Sequence, residues 1–184
     1  MQDSATDPRA LRRVLGCFAT GVVVVTGRDP LDGAPAGMTM NSFTAVSLDP
    51  ALILFCIARS AHSLPAWQRM THYAVNVLGR GQEEISGRFA RPLARKWAGV
   101  RHRPGLHGVP LLDGALASLE CAAHDRVDGG DHVIFIGRVL RCGCADSGEP
   151  LLYFRGGYAV LESAPAWPQA QTDASAQWPL SLHY

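Results

Sequence analysis

Short apolar runs, closed at both ends by turn residues, recur along this chain and restrict its fold more than any other feature. GVVVVTG (21–27) is β-branched, bounded by glycines and too short for an ordinary core helix, so it reads as a buried strand. ALILFCI (51–57) is a second such run, and HYAVNVLG (72–79) alternates in strand fashion. ALASLECAAHDRV (115–127), HVIFIGRVLRCG (132–143) and PLLYFRGGYAVL (150–161) follow. The turn region RDPLDGAP (28–35) and the connections DGGD (128–131) and CADSGE (144–149) carry hairpin chemistry. Six or seven strands joined mainly by such turns lack the strand–helix alternation of a doubly wound sheet. The expectation is a mainly β chain, an antiparallel barrel with a few peripheral helices.

Helices are expected near the start, over 63–70 and over 82–90. Asp7-Pro8 has the chemistry of an N-cap followed by proline at the first helical position. Leu11, Val14, Leu15 and Phe18 then share one helical face. Residues 91–113 read as a long irregular excursion. The domain is expected to occupy 1–163, with 164–184 a tail, flexible or packed on a partner subunit.

Composition narrows the partners. With 47% hydrophobic and 18% charged residues, the chain has the means to form a core without disulfide or metal staples. Seventeen basic and sixteen acidic residues leave a net charge of +1, so no long-range field favours nucleic acid or an anionic membrane. The five cysteines are odd in number and irregular in spacing, unlike a disulfide framework. Cys17, Cys56 and Cys121 lie in apolar runs, where a reduced thiol packs as a small hydrophobe. The polar start MQDSATDPRA lacks a signal peptide's apolar centre, and no run approaches the ~20 residues that span a bilayer. A reducing cytoplasm is the expected compartment.

The main anomaly is GMTMNSFTAVS (37–47), read as one strand between two apolar ones. Its hydroxyl and amide groups need partners if buried. A flat heteroaromatic ligand with carbonyl and imide groups along one edge would supply them; an edge strand whose polar face meets water is the reading that pattern alone favours. In CIARSAHS (56–63), Arg59, Ser60, Ser63 and the first amides of a short helix suit an anion. A plain N-cap by Ser60 or His62 beside a solvated arginine is the other reading. Arg88 and Lys96 either join that anion site or stay solvated. GGDHVIFIGRV (129–139) holds His132 at a strand start, where it is placed to contact a ligand or transfer a proton, with Asp131 beside it to orient the ring.

Other chemistries lack support. Gly79-Arg80-Gly81 has Glu84 where a dinucleotide loop needs its third glycine, and no strand–helix–strand frame surrounds it. There is no HExxH, no Gly-x-Ser-x-Gly, and Cys142-Gly143-Cys144 does not have zinc-ligand spacing, so no metal site is expected.

Five segments in order, LGCFATGVVVVT (15–26), GMTMNSFTAVSLDPALILFCI (37–57), SGRFA (86–90), GDHVIFIGRV (130–139) and PLLYFRGGY (150–158), closely resemble the flavin reductase family that supplies reduced flavin to two-component monooxygenases. The resemblance implies a six-stranded antiparallel Greek-key split barrel, a homodimer with flavin near the subunit interface, and FMN or FAD reduced by NADH or NADPH. It places Thr39, Met40, Asn41 and Ser42 along the isoalloxazine, with Ser47 close by and main-chain contacts from Cys56, Ile57 and Ala58. Ser60, Ser63, Ser86, Arg88 and Phe89 would surround the ribityl phosphate or the adenosine part of FAD. His132 would face the nicotinamide and act as the catalytic residue, with Tyr153, Arg155 and Gly156 holding the dinucleotide. Met40 departs from the family pattern, where a smaller residue is common. A non-catalytic flavin carrier or sensor, or a flavin oxidase on the same barrel, are the competing readings.

Overall fold

The computed structural model describes residues 7–92 and 95–161. The expected tail at 164–184 lies outside the described residues. The chain opens with α1 (Pro8–Leu15), where the Asp7 carboxylate accepts from the Arg9 amide at 3.0 Å. Then come β1 (Thr20–Gly21), β2 (Val23–Arg28), β3 (Pro35–Met40), β4 (Thr44–Leu48) and β5 (Ala51–Ala58). α2 (Leu64–Arg69), β6 (His72–Val77) and α3 (Glu83–Phe89) follow, then the short β7 (His102–Pro104) and β8 (Pro110–Leu112). The long β9 (Ala117–Gly129) and β10 (His132–Cys144) precede β11 (Leu152–Phe154) and β12 (Gly157–Ala159).

Seven strands form the main antiparallel sheet, in the order β3-β2-β6-β9-β10-β5-β4. Its edge strands, β3 and β4, are separated by only Asn41, Ser42 and Phe43. Laid flat, seven strands would hold those edges roughly 29 Å apart, whereas four Cα steps reach at most roughly 14 Å. The sheet therefore curls into a barrel split between β3 and β4. This corrects the expectation of one strand across 37–47. The segment is two strands on opposite edges, with a corner at 41–43 where the Ser42 hydroxyl engages the backbone of Cys56 instead of a ladder.

Inside the barrel, Phe55 stacks on Phe135 at 5.3 Å and meets Tyr73 edge-on at 5.1 Å. Leu64 and Trp67 of α2 close one end of this core. Val23 and Val25 face it, while Val22 and Val24 pack into a second cluster with Leu78, Phe89 and Leu151. β2 is thus covered on both faces, which is why its sequence is a continuous apolar run.

The 91–113 excursion contains the β7–β8 hairpin, moored from below by buried polar groups. Asn76 donates to Thr26 Oγ1 and to the Val24 carbonyl, and accepts from the Leu112 amide at 2.8 Å; Thr26 donates to the Pro110 carbonyl. Glu120 receives both arms of Arg141 and the Leu106 amide. Gly105 packs so close that a Cβ there would lie 2.3 Å from the Glu120 carboxylate. Residues 150–161, read as one strand, form the β11–β12 hairpin, paired with β1 in a separate three-stranded sheet. The segment 144–149 is accordingly a connector between sheets and not a hairpin. Leu11, Val14, Leu15 and Phe18 are all exposed, from 51% to 76%, and so is Cys17.

Candidate functional site

At the split of the barrel, β5 runs past its neighbour. β4 last pairs at Thr44 opposite Leu54, so residues 55–58 extend beyond it. The Arg59 amide donates to the Asp131 carbonyl at 2.8 Å, toward β10. By the alternation of an antiparallel ladder, the amides of Cys56 and Ala58 point the other way, toward the split. Cys56 donates to Ser42 Oγ at 3.0 Å, while Ala58 projects past the end of β4. A backbone donor open beside the corner hydroxyl and amide matches a ring carrying carbonyl and imide groups along one edge, so the donor set fits a flavin. Met40, expected against the ring, is buried in the barrel core next to the corner, and Asn41 is exposed at it. Ile57 faces the core, leaving only its backbone for contact. Ser47 lies beside the irregularity where β4 shifts register between Ala45 and Ser47. Burial pushes the Cys56 thiol up despite its Ser42 neighbour, so it remains a thiol at neutral pH.

The β9–β10 turn stands directly alongside. His132 pairs with Ala58 across the ladder. Arg59 clamps the turn, with Nε on the Gly130 carbonyl at 2.8 Å and a guanidinium nitrogen on Asp128 at 2.5 Å. His132 Nδ1 lies 2.7 Å from Asp131 Oδ1. A carboxylate only accepts, so the proton sits on Nδ1 and Nε2 has no partner among the described residues. The hydrogen bond from His132, and then its charge, hold Asp131 below its usual carboxylate range.

Farther along, Thr39 donates to the Ser86 carbonyl at 2.7 Å, and Tyr158 donates to the Ser86 hydroxyl at 2.8 Å. Ser86 is buried beneath this pair, and Phe89 is fully buried, edge-on to Trp97 and tight against Gly37, where a Cβ would meet its ring at 2.4 Å. Arg88 bonds Glu84 and the Ala98 carbonyl. Lys96 donates to the Gly37 and Phe89 carbonyls, and burial lowers its pKa. Arg88, Arg91, Arg95 and Tyr158 nevertheless line an open cavity of about 590 Å³ on this side. Ser60 is exposed in a turn, and Ser63 begins α2 without a side-chain capping bond.

The β11–β12 hairpin brings Tyr153 opposite Thr20 and sets Arg155 and Gly156 in its turn, at φ 49° and 85°. The structure thus joins Ser42 to Cys56, Ala58 to His132, and Thr39 to Ser86; Ser60 and Ser63, expected with Ser86 around a phosphate, do not meet it through any hydrogen bond among the described residues. Tyr158 escaped the sequence reading as a site residue, although it lies inside the PLLYFRGGY segment.

Known proteins share this fold and sequence pattern. The model of the flavin reductase like domain matches residues 15–162. The chain is 43% identical over 159 residues to the stachydrine N-demethylase reductase subunit of Rhizobium meliloti, covering 86% of this chain and 68% of that one. It is 38% identical over 169 residues to the reductase subunit of a flavin-dependent monooxygenase from Rhodococcus jostii, covering 92% and 86%. The Streptomyces globisporus NADH:FAD oxidoreductase, solved in complex with NAD and FAD fragments, superposes with a TM-score of 0.82 at 38% identity, over 90% of this chain and 98% of that one. Some other matched proteins are longer, and the chain spans about half their length.

Proposed function

The chain belongs to the flavin reductase like family, and on that premise we propose that it is an NAD(P)H-dependent flavin reductase serving a partner monooxygenase. The observation that carries the reading is the pairing of His132 with Ala58, which sets an imidazole with a free Nε2 beside an open backbone edge. When bound, FMN or FAD supplies a ring that accepts a hydride from reduced nicotinamide. The chain's own task is placement. Ser42 and the 56–58 edge, backed by Met40 in the core behind them, would hold the ring. Asp131 holds the His132 imidazole by Nδ1, and the Arg59 clamp holds the turn, so Nε2 is presented at a fixed point of the rim. There it accepts from the nicotinamide carboxamide NH2 in the neutral ring, and it donates toward developing negative charge only when the ring is protonated. The Thr39–Ser86–Tyr158 chain joins β3 and α3 to β12 on the phosphate side.

A homodimer completes this reading. The exposed apolar face of α1, continued by Phe18, is supported as a contact for a second copy. Five free thiols suit the cytoplasm, and among the described residues no helix is long and apolar enough to cross a membrane. The direct test measures NADH and NADPH oxidation with FMN, FAD and riboflavin in turn. Turnover that requires flavin is expected; flavin binding without nicotinamide oxidation would make the protein a carrier. Analytical ultracentrifugation reports the dimer, and a monomer at micromolar concentration would remove it.

A further inference from the structure

We propose that Cys142 and Cys144, at the end of β10, form a two-thiolate site for a soft monovalent cation of the Cu(I) class. The site shares no residue with the flavin and nicotinamide positions and does not rest on the function proposed above. Cysteine is among the residue types most often buried, and Cys121 follows that rule in the core. Cys142 and Cys144 break it, since both are exposed and free. Packing accounts for neither.

The strand register sets them side by side. β10 shifts against β9 between Val139 and Arg141, and from there the pairing is regular, with Cys142 opposite Leu119 and Cys144 opposite Ala117. Two residues apart on a regular strand, the thiols leave the same face. β5 last pairs with β10 at Leu52 opposite Arg138, so this stretch has β9 on one side and an open edge on the other. Gly143 between them is uncrowded, for a Cβ there would have no atom within 4 Å.

Spacing decides what the pair can hold. Same-face Cβ atoms two residues apart on a strand are separated by about 6.6–6.8 Å, twice the rise per residue. A disulfide needs them at about 3.5–4.5 Å, which the ladder to β9 opposes. Two metal–thiolate bonds of about 2.3 Å in line need sulfurs roughly 4.6 Å apart, a closure of roughly 2 Å that two Cβ–Sγ bonds tilted toward each other supply. Tetrahedral zinc would require four ligands. Among the described residues, no three His, Cys, Asp or Glu side chains are gathered for a metal ion. Cys121 lies on the same face, diagonally across from Cys142, but burial pushes its thiol up to about 12 and keeps it from serving as a third thiolate. The geometry therefore admits a two-coordinate ion, and soft thiolate ligands select Cu(I).

Charge agrees. Cys144 lines a cleft of about 240 Å³ with Arg103, Leu111, Leu112 and Leu116, and no carboxylate or imidazole borders it. Two thiolates on a monovalent ion leave one net negative charge, which Arg103 is placed to offset.

The test is anaerobic titration of the reduced protein with Cu(I) against a chromogenic Cu(I) chelator. Wild type, Cys142→Ser, Cys144→Ser and the control Cys17→Ser are compared. Wild type and Cys17→Ser are expected to withdraw one Cu(I) per chain from the chelator, with two protons released as the thiols ionise. Both strand variants are expected to lose this capture, with melting temperature and flavin reduction unchanged. X-ray absorption at the copper edge should report two sulfur neighbours in line. Retention of the ion by both strand variants overturns the proposal, as does a wild type that cannot withdraw it. A copper-dependent doubling of mass on gel filtration would also overturn it, because each chain would then supply one thiolate to a shared ion.

Discussion

Two polar clusters in this molecule contrast sharply. Thr26 and Asn76 lie fully buried beneath the β7–β8 hairpin, and every side-chain group of Asn76 has a partner. Asp131 and His132 stand at the exposed end of the barrel, locked to each other through Nδ1, with Nε2 left over. Both are ordered by hydrogen bonds, but the first spends all its capacity within the chain and the second keeps some back. Buried and satisfied polarity is scaffold; exposed and half-satisfied polarity, held by a rigid clamp, is available to a ligand.

The contrast is broken most forcefully from the scaffold side. Asn76→Leu would strand the Leu112 amide in the interior and remove the side-chain donor from Thr26 Oγ1 and from the Val24 carbonyl, which keeps its ladder bond, at about 1–3 kcal/mol for a group left unpaired. Urea denaturation is expected to show a loss of about 3 kcal/mol or more, while folded protein binds flavin as before. A stability within 0.5 kcal/mol of wild type would show that the network is not what holds the hairpin.

A smaller effect is expected at Glu120. Burial alone would raise its carboxyl, but Arg141 and the Leu106 amide outweigh this and hold it below its ordinary 4.5. A carboxylate lowered on folding stabilises the protein above its unfolded pKa, and that contribution is lost as pH falls through the folded value. The melting temperature should therefore decline below about pH 4.5, and Glu120→Gln should lower it at pH 7 and flatten the acid decline. Parallel profiles for the two proteins would contradict the ion pair's role.

The smallest stability effect belongs to Arg59→Gln. Its bond to Asp128 is exposed, and such pairs contribute about 0–1 kcal/mol. The expected signature is kinetic: flavin reduction slowed several-fold with melting temperature almost unchanged, because the turn that carries His132 loosens. A variant that melts much earlier yet reduces flavin at the wild-type rate would place Arg59 with the scaffold.

The sequence made some of this legible and hid the rest. β2 was plain because two apolar faces need an unbroken apolar run. His132 was visible because a Gly-Gly-Asp turn dictates where a strand begins. The corner at 41–43 was not, since it exists only once the sheet closes and brings its edges within three residues of each other. Asn76 was concealed in an alternating strand whose partners lie 36 and 50–52 residues away. The apolar stripe of α1 was readable as helical spacing, but spacing does not say whether it faces this chain's core or another surface.

The central claim is that the His132 rim performs the reduction while the Ser42–Cys56–Ala58 wall holds the flavin. Anaerobic stopped-flow reduction of bound flavin by NADH, run on His132→Ala beside wild type with flavin affinity measured on the same samples, separates the two roles. The account predicts a reduction rate lower by roughly tenfold or more, in the range seen for a lost positioning or proton-transfer group, with flavin affinity within about twofold. Reduction at the wild-type rate, or a matching collapse of flavin affinity, would contradict it.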